Sequence, residues 1–254
     1  SSDLVGYQAL KANTIADYNT AIGYQAGYSN TTGQYNYFSG AQAGYSNTTG
    51  NYNSFAGGLE SGGYGTGHLN TTGSYNTGFG NGALRSNTTA SYNTAVGYQS
   101  LYSNTTATNN TAVGYQSAYS NTTGNNTSVG YQSLRSNTTG YQNTAIGELA
   151  LYSNTTANNN TAVGYQAGYS NTTGTQVVAV GTGAGYSNQT GNNVTAIGYY
   201  ALNANTATGN TSTGARSLQN NTSGTLNSGF GGIALYSNTT GSYNTAVGYE
   251  ALRE

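Results

Sequence analysis

The side chains able to do acid–base, nucleophilic or metal chemistry are few and scattered. Six carboxylates, Asp3, Asp17, Glu60, Glu148, Glu250 and Glu254, stand far apart, and no pair recurs at a fixed spacing. His68 is the only histidine, and there is no cysteine. General acid–base catalysis needs positioned groups with tuned proton affinities, and a triad or a zinc site needs several partners. One His supplies neither. Thiolate catalysis and disulfides are excluded by composition. No glycine-rich phosphate loop opens a helical pattern, and no periodic Asp offers a calcium ladder. The sequence predicts a protein that is not an enzyme, with no cofactor and no metal site.

One other chemistry is written many times. Asn-x-Ser/Thr, the acceptor pattern for N-linked sugars, occurs at Asn30, Asn47, Asn70, Asn87, Asn104, Asn121, Asn137, Asn154, Asn171, Asn188, Asn221 and Asn238. Asn and Thr also close turns, by bonding to local backbone. Twelve acceptors at one place of a repeating turn predict a stripe of covalent glycans, which would keep an almost uncharged protein in solution. Further acceptor patterns stand at Asn109, Asn125, Asn126, Asn159, Asn193, Asn210 and Asn220. The regular Thr hydroxyls offer a second use, as a face that orders water or meets ice.

These asparagines share a place because the whole chain is one 17-residue unit. Asn93-Thr94-Ala95-Val96-Gly97-Tyr98-Gln99-Ser100-Leu101-Tyr102-Ser103-Asn104-Thr105-Thr106, with three linking residues, is one copy. Fifteen copies begin at positions 2, 19, 36, 53, 76, 93, 110, 126, 143, 160, 177, 194, 210, 227 and 244; most spacings are 17, two are 16 and one is 23. A short period kept throughout means an array whose units pack mainly on their neighbours, a single domain over residues 1–254. Position 1 is Ser, and the last copy stops at its eleventh residue; this reads as a processed chain or a window cut from a longer array.

The fifth position of the unit is glycine in every copy: Gly6, Gly23, Gly40, Gly57, Gly80, Gly97, Gly114, Gly130, Gly147, Gly164, Gly181, Gly198, Gly214, Gly231 and Gly248. Glycine is needed where φ is positive or where a Cβ would meet neighbouring backbone. Position 4 is Val, Ile or Phe in twelve copies, position 8 is almost always Ala or Ser, and position 9 is usually Leu or Gly. Asn-Thr-Thr-Gly every 17 residues forbids a long helix. Apolar residues at 4 and 9 predict two short strands per coil and a thin core. The fold class is all-β, a parallel β-solenoid or β-roll of about fifteen 17-residue coils. At about 4.8 Å per coil, fifteen span roughly 70 Å. Tyrosine recurs at positions 6, 10 and 17, where rings of neighbouring coils would stack.

Lys and Arg number five, and the net charge is −1. Phosphate neutralisation needs a basic patch, so nucleic acid is not an expected partner. No run of 18 apolar residues exists to span a membrane. The chain is polar enough to suggest disorder, but 12% aromatic residues in strict register argue for a fold. The one irregular place is Gly58–Leu69, where six extra residues bring Glu60 and His68. Insertions in solenoids map to loops on one face, and this one is the best candidate for a local feature.

The segments Asn19–Gly23, Asn93–Gly97 and Asn244–Gly248, of the type Asn-Thr-Ala-Val/Ile-Gly, resemble the Ala-Ile-Gly core of trimeric autotransporter adhesin heads. The longer arrays are similar to those of bacterial surface proteins and phage tail fibres. The resemblance implies a β-roll, commonly trimeric, outside the cell or at its surface and used as a stalk or adhesin. The reading is a structural protomer of an N-glycosylated extracellular fibre or filament. Its partner would be itself, through end-to-end or lateral homo-oligomers that include a trimer. The alternative is a binding module, an adhesin for a host surface or glycan or a binder of ice, that uses the Tyr and Thr columns.

Overall fold

The computed structural model describes residues 2–254; Ser1, inside the expected domain, lies outside them. The chain divides into two compact units, Ser1–Asn126 and Thr127–Glu254. Both are parallel β-solenoids built the same way. The first carries β1 (Asp3–Val5), β2 (Thr20–Ile22), β3 (Tyr37–Ser39), β4 (Ser54–Ala56), β5 (Thr77–Phe79), β6 (Thr94–Val96) and β7 (Thr111–Val113). The second carries β8 (Thr127–Val129), β9 (Thr144–Ile146), β10 (Thr161–Val163), β11 (Val178–Val180), β12 (Thr195–Ile197), β13 (Thr211–Thr213), β14 (Ser228–Phe230) and β15 (Thr245–Val247).

Within each unit consecutive strands pair in parallel, residue on equivalent residue, as in Thr94↔Thr111 and Thr144↔Thr161. The 23-residue copy keeps this register, with Ser54 opposite Thr77, and the 16-residue copy keeps it with Thr195 opposite Thr211. Length variation is therefore absorbed in the turns.

The pleat points the middle residue of each strand inward and its neighbours outward. Position 3 is inside: Ala95, Ala112, Ala145 and Ala162 are fully buried. Position 4, expected in the core, is not. Phe79 is 56% exposed and Ile146 39%. A three-residue strand offers one inward side chain, and the narrow interior takes Ala there with Leu from position 9. The branched residues of position 4 face solvent.

Each coil has one strand rather than the expected two. The second apolar stretch is a chain of turns in which positions 7 and 9 take left-handed backbone, as Gln99 (φ 52°) and Leu101 (φ 48°) do. Side chains there are strained, and the reward is orientation. Gln99 N–H donates back to Asn81 O, whereas Leu101 N–H donates forward to Ser117 O. Turns are thereby bonded to both neighbouring coils.

The left-handed φ also explains why position 9 alternates between Leu and Gly. At the glycines of the first unit, such as Gly27 (φ 59°), the missing volume is supplied by phenylalanine from position 3. A Cβ on Gly27 would come within 2.5 Å of Phe38, and one on Gly67 within 2.5 Å of Phe55. Both phenylalanines are fully buried and their rings pack 6.0 Å apart.

The glycine column at position 5 meets both requirements at once. All fifteen glycines have φ between 120° and 154°, a region closed to side chains. A Cβ on Gly97 would also stand 2.7 Å from the carbonyl carbon of Gly114 in the next coil.

Candidate functional site

The asparagine column at position 12 points into the solenoid. Eleven of the twelve acceptor candidates, Asn30 through Asn221, are fully buried, and Asn238 is half-buried. Asn87 shows the usual arrangement. Its Nδ2 donates to Oδ1 of Asn70 at 2.7 Å and to the carbonyl of Ala90 at 3.0 Å. Asn154 repeats it with Asn137 and Ala157 in the second unit. A sugar would be attached at the same nitrogen, whose protons are spent and which has no path to solvent. The expected exposed stripe is therefore corrected to a buried amide ladder. A second ladder runs at position 1, where Asn93 Oδ1 accepts from the backbone N–H of Asn110.

Of the other acceptor patterns, Asn126 and Asn210 are buried in the position-1 ladder and Asn220 is half-buried. Asn109, Asn125, Asn159 and Asn193 occupy position 17 and are exposed, with φ of 55–61°. They continue a column that is tyrosine from Tyr18 to Tyr92.

The tyrosines do form stacks. In the first unit Tyr18, Tyr35, Tyr52, Tyr75 and Tyr92 repeat at 4.8–5.0 Å with planes within 8° of parallel. That is the spacing of paired strands. Each inner ring is covered on both faces by its neighbours. The column thus presents edges and hydroxyls, not the open faces on which a sugar would stack.

Position 10 carries a feature that reading each copy separately missed. Four of the five basic residues, Lys11, Arg85, Arg135 and Arg253, stand there, as does His68. They replace tyrosine, and all but Arg253, which pairs with Glu250, lie against a tyrosine ring of the column. Lys11 Nζ lies 5.2 Å from the centre of the Tyr28 ring, and the Arg85 guanidinium carbon lies 5.2 Å from that of Tyr102. Aligning the copies under one another was the signal that would have shown it.

The insertion folds over this column. Residues Glu60 to Tyr64 make a tight turn, with Glu60 N–H donating to Tyr64 O and Gly63 N–H to Glu60 O. Asn81 ties it down, accepting from Gly58 N–H and donating to Leu59 O. The Glu60 carboxylate is buried and accepts from Gln99 Nε2 at 2.9 Å and Tyr102 Oη at 3.2 Å. Arg85 Nε lies 3.4 Å from it, an ion pair without a directed hydrogen bond. The guanidinium also sits 3.9 Å from the Tyr64 ring centre. His68 stacks on Tyr45 at 5.0 Å and meets the edge of Tyr64. Burial lowers its proton affinity, a backbone hydrogen bond to Gln42 opposes this, and the Arg85 charge adds to the lowering. Burial and the neighbouring Glu60 carboxylate raise that of Tyr102.

Gln116 donates to Gln99, and Gln99 to Glu60. Position 7 of the coil before Gln99 is Gly82, and Glu60 Oε2 lies 3.3 Å from where a Cβ would stand on it, so the Glu60 carboxylate takes the place of a missing glutamine. The insertion packs as a plug over the column, with His68 Nδ1 and Arg85 Nε left without hydrogen bonds inside it. Among the described residues no three His, Cys, Asp or Glu side chains converge, and no helix is long and apolar enough to cross a membrane.

The Thr hydroxyls at position 13 are also engaged. Thr31, Thr88, Thr155 and Thr222 each donate to the position-13 carbonyl of the next coil at 3.0–3.1 Å. Their protons hold backbone, not an external lattice.

The surface left open is the sheet face of each unit, with Thr at position 2, Val, Ile or Phe at 4 and Tyr at 6. The fold defines a parallel β-solenoid repeat protein. No protein-family profile, no curated protein and no solved structure matches the chain.

Proposed function

We propose that this chain is a non-catalytic structural segment of an extracellular fibre, built by stacking coils and associating with other copies through its sheet face. The observation that supports it is the outward column at position 4. In the second unit Ile146, Ile197 and Phe230 are 37–41% exposed, on strands whose polar atoms are already used by neighbouring coils. Regular apolar ranks between Thr and Tyr suit a like face better than water. The extracellular setting rests on the resemblance of the Asn-Thr-Ala-Val-Gly segments, and a trimer is the assembly that resemblance implies. A sugar coat on the position-12 asparagines is not part of this reading.

Sedimentation velocity from low micromolar to near-millimolar concentration tests it. Association that is lost in an Ile146→Lys, Ile197→Lys double variant with an unchanged circular dichroism spectrum is the expected result. A wild-type chain that stays monomeric throughout would overturn the lateral reading.

A second reading, a glycan-binding module, is favoured by one local observation, an open notch between Gln166, Tyr186, Tyr200 and Asn203.

A further inference from the structure

The tyrosine and glutamine columns of the second unit are interrupted at one common place. Position 7 holds Gln166 in one coil, Gly183 in the next and Tyr200 in the third. Position 10 holds Tyr169, Tyr186 and then Asn203. Gly183 has no side chain, and the Tyr200 ring lies over it, so that Gly183 is buried; beside them is a notch of about 230 Å³ lined by Gln166, Tyr186, Tyr200 and Asn203.

Its walls differ from the same columns elsewhere. In the first unit the glutamines bond to each other, as Gln25 does to Gln8 and Gln116 to Gln99. Gln166 has Leu149 behind it and Gly183 ahead, so its amide has no ladder partner. Tyr186 stacks on Tyr169 at 5.1 Å, and no ring covers its other face. The column continues there as Asn203, whose Nδ2 donates to Gly183 O at 3.0 Å and whose Oδ1 remains an acceptor. Tyr200 leans over the Gly183 backbone, where a Cβ would touch its ring.

An aromatic face, an amide with both donors and acceptor available, a second amide oxygen and no charge define a particular ligand chemistry. Cations, anions and phosphates find no counter-charge. A neutral pyranose fits, since its C–H face can lie on a tyrosine while its hydroxyls exchange bonds with amides. We infer that this notch binds one ring of a neutral sugar. The inference deepens the glycan-binding reading and is independent of self-association.

The control is supplied by the repeat itself. Glutamine occupies position 7 at the same left-handed φ in other coils, 54° at Gln166 against 62° at Gly183. Gly183→Gln suits that φ, but its Cβ would collide with the Tyr200 ring, so it displaces one wall of the notch while offering Gln166 a ladder partner. Gln166→Leu copies the residue that Leu149 already places in this column one coil earlier, and it removes the amide without touching the glycine. Saturation-transfer NMR of the full chain with glucose, galactose, mannose, N-acetylglucosamine and their linear oligomers is the measurement. We expect at least one sugar to bind saturably, with a dissociation constant on the order of millimolar, as suits a small open site. Binding should weaken at least about tenfold in Gly183→Gln and several-fold in Gln166→Leu. Should Gly183→Gln not fold, Gln166→Leu decides alone. Absence of saturable binding by any sugar of the panel, or wild-type affinity in the folded variants, would overturn the assignment.

Discussion

Asn87 Nδ2 lies 2.7 Å from Asn70 Oδ1, a hydrogen bond between side chains 17 residues apart and both fully buried. The amide oxygen of Asn87 in turn accepts from Asn104 at 3.0 Å. One side chain thus serves three coils. Replacing it with alanine strands a donor on Asn104 and an acceptor on Asn70, while the Ala90 carbonyl keeps its bond from Asn76 Nδ2. Buried groups left without partners cost about 1–3 kcal/mol each. Asn87→Ala should lower stability by roughly 2–5 kcal/mol in chemical denaturation, and a loss below about 0.5 kcal/mol would show the ladder to be incidental.

Gly97 should tolerate even less. Alanine there must adopt a φ near 128° and push against the Gly114 carbonyl. Strain of about 1–3 kcal/mol and overpacking of similar size predict a loss of roughly 2–6 kcal/mol. Amide hydrogen exchange should show protection lost first in the coils on either side of residue 97. Uniform protection in Gly97→Ala would contradict the close backbone approach.

His68 makes the insertion pH-sensitive. Its proton affinity is lowered in the fold, so the neutral ring is the form the fold prefers. For a group of this sign, stability is fullest above the unfolded value of about 6.5 and declines as pH falls below it. Protection of the Gly67 and Leu69 amides, which donate to Ala83 and Arg85, should fall between pH 7 and pH 5. His68→Tyr, which restores the residue usual in that column, should flatten the dependence.

Peptide mapping after secretion from a glycosylating host separates the buried from the exposed asparagines. Sugar is expected at Asn109, Asn125, Asn159 or Asn193, and not at Asn30 through Asn221 of position 12. Full occupancy of the position-12 column in folded protein would refute the buried ladder.

The period, the parallel stacking and the glycine column were legible in the sequence, because a fixed repeat puts equivalent residues on top of one another. The inward face of the strand was not. Thr-Ala-Val alternates equally well with either parity, and hydropathy favours Val inside; only the narrow interior selects Ala. The asparagines misled for a related reason, since Asn-Thr-Thr serves a turn, a sugar acceptor or a buried amide ladder alike. A sign was nevertheless present. Asn13 and Asn205 keep the asparagine where the acceptor pattern is broken, as a structural column would. The notch was hidden because it depends on how Tyr200 and Asn203 settle around a glycine of the preceding coil.

The phenylalanines of the first unit bear on how such an array can grow. Gly27 and Gly44 both lean on Phe38, and Gly67 leans on Phe55, so core volume there is shared between adjacent coils. Duplicating or deleting one of these coils would leave a void or a collision, whereas the Ala-and-Leu coils each bring their own filling. Unequal recombination can lengthen or shorten the array through the second kind, but the first kind is inherited as a block.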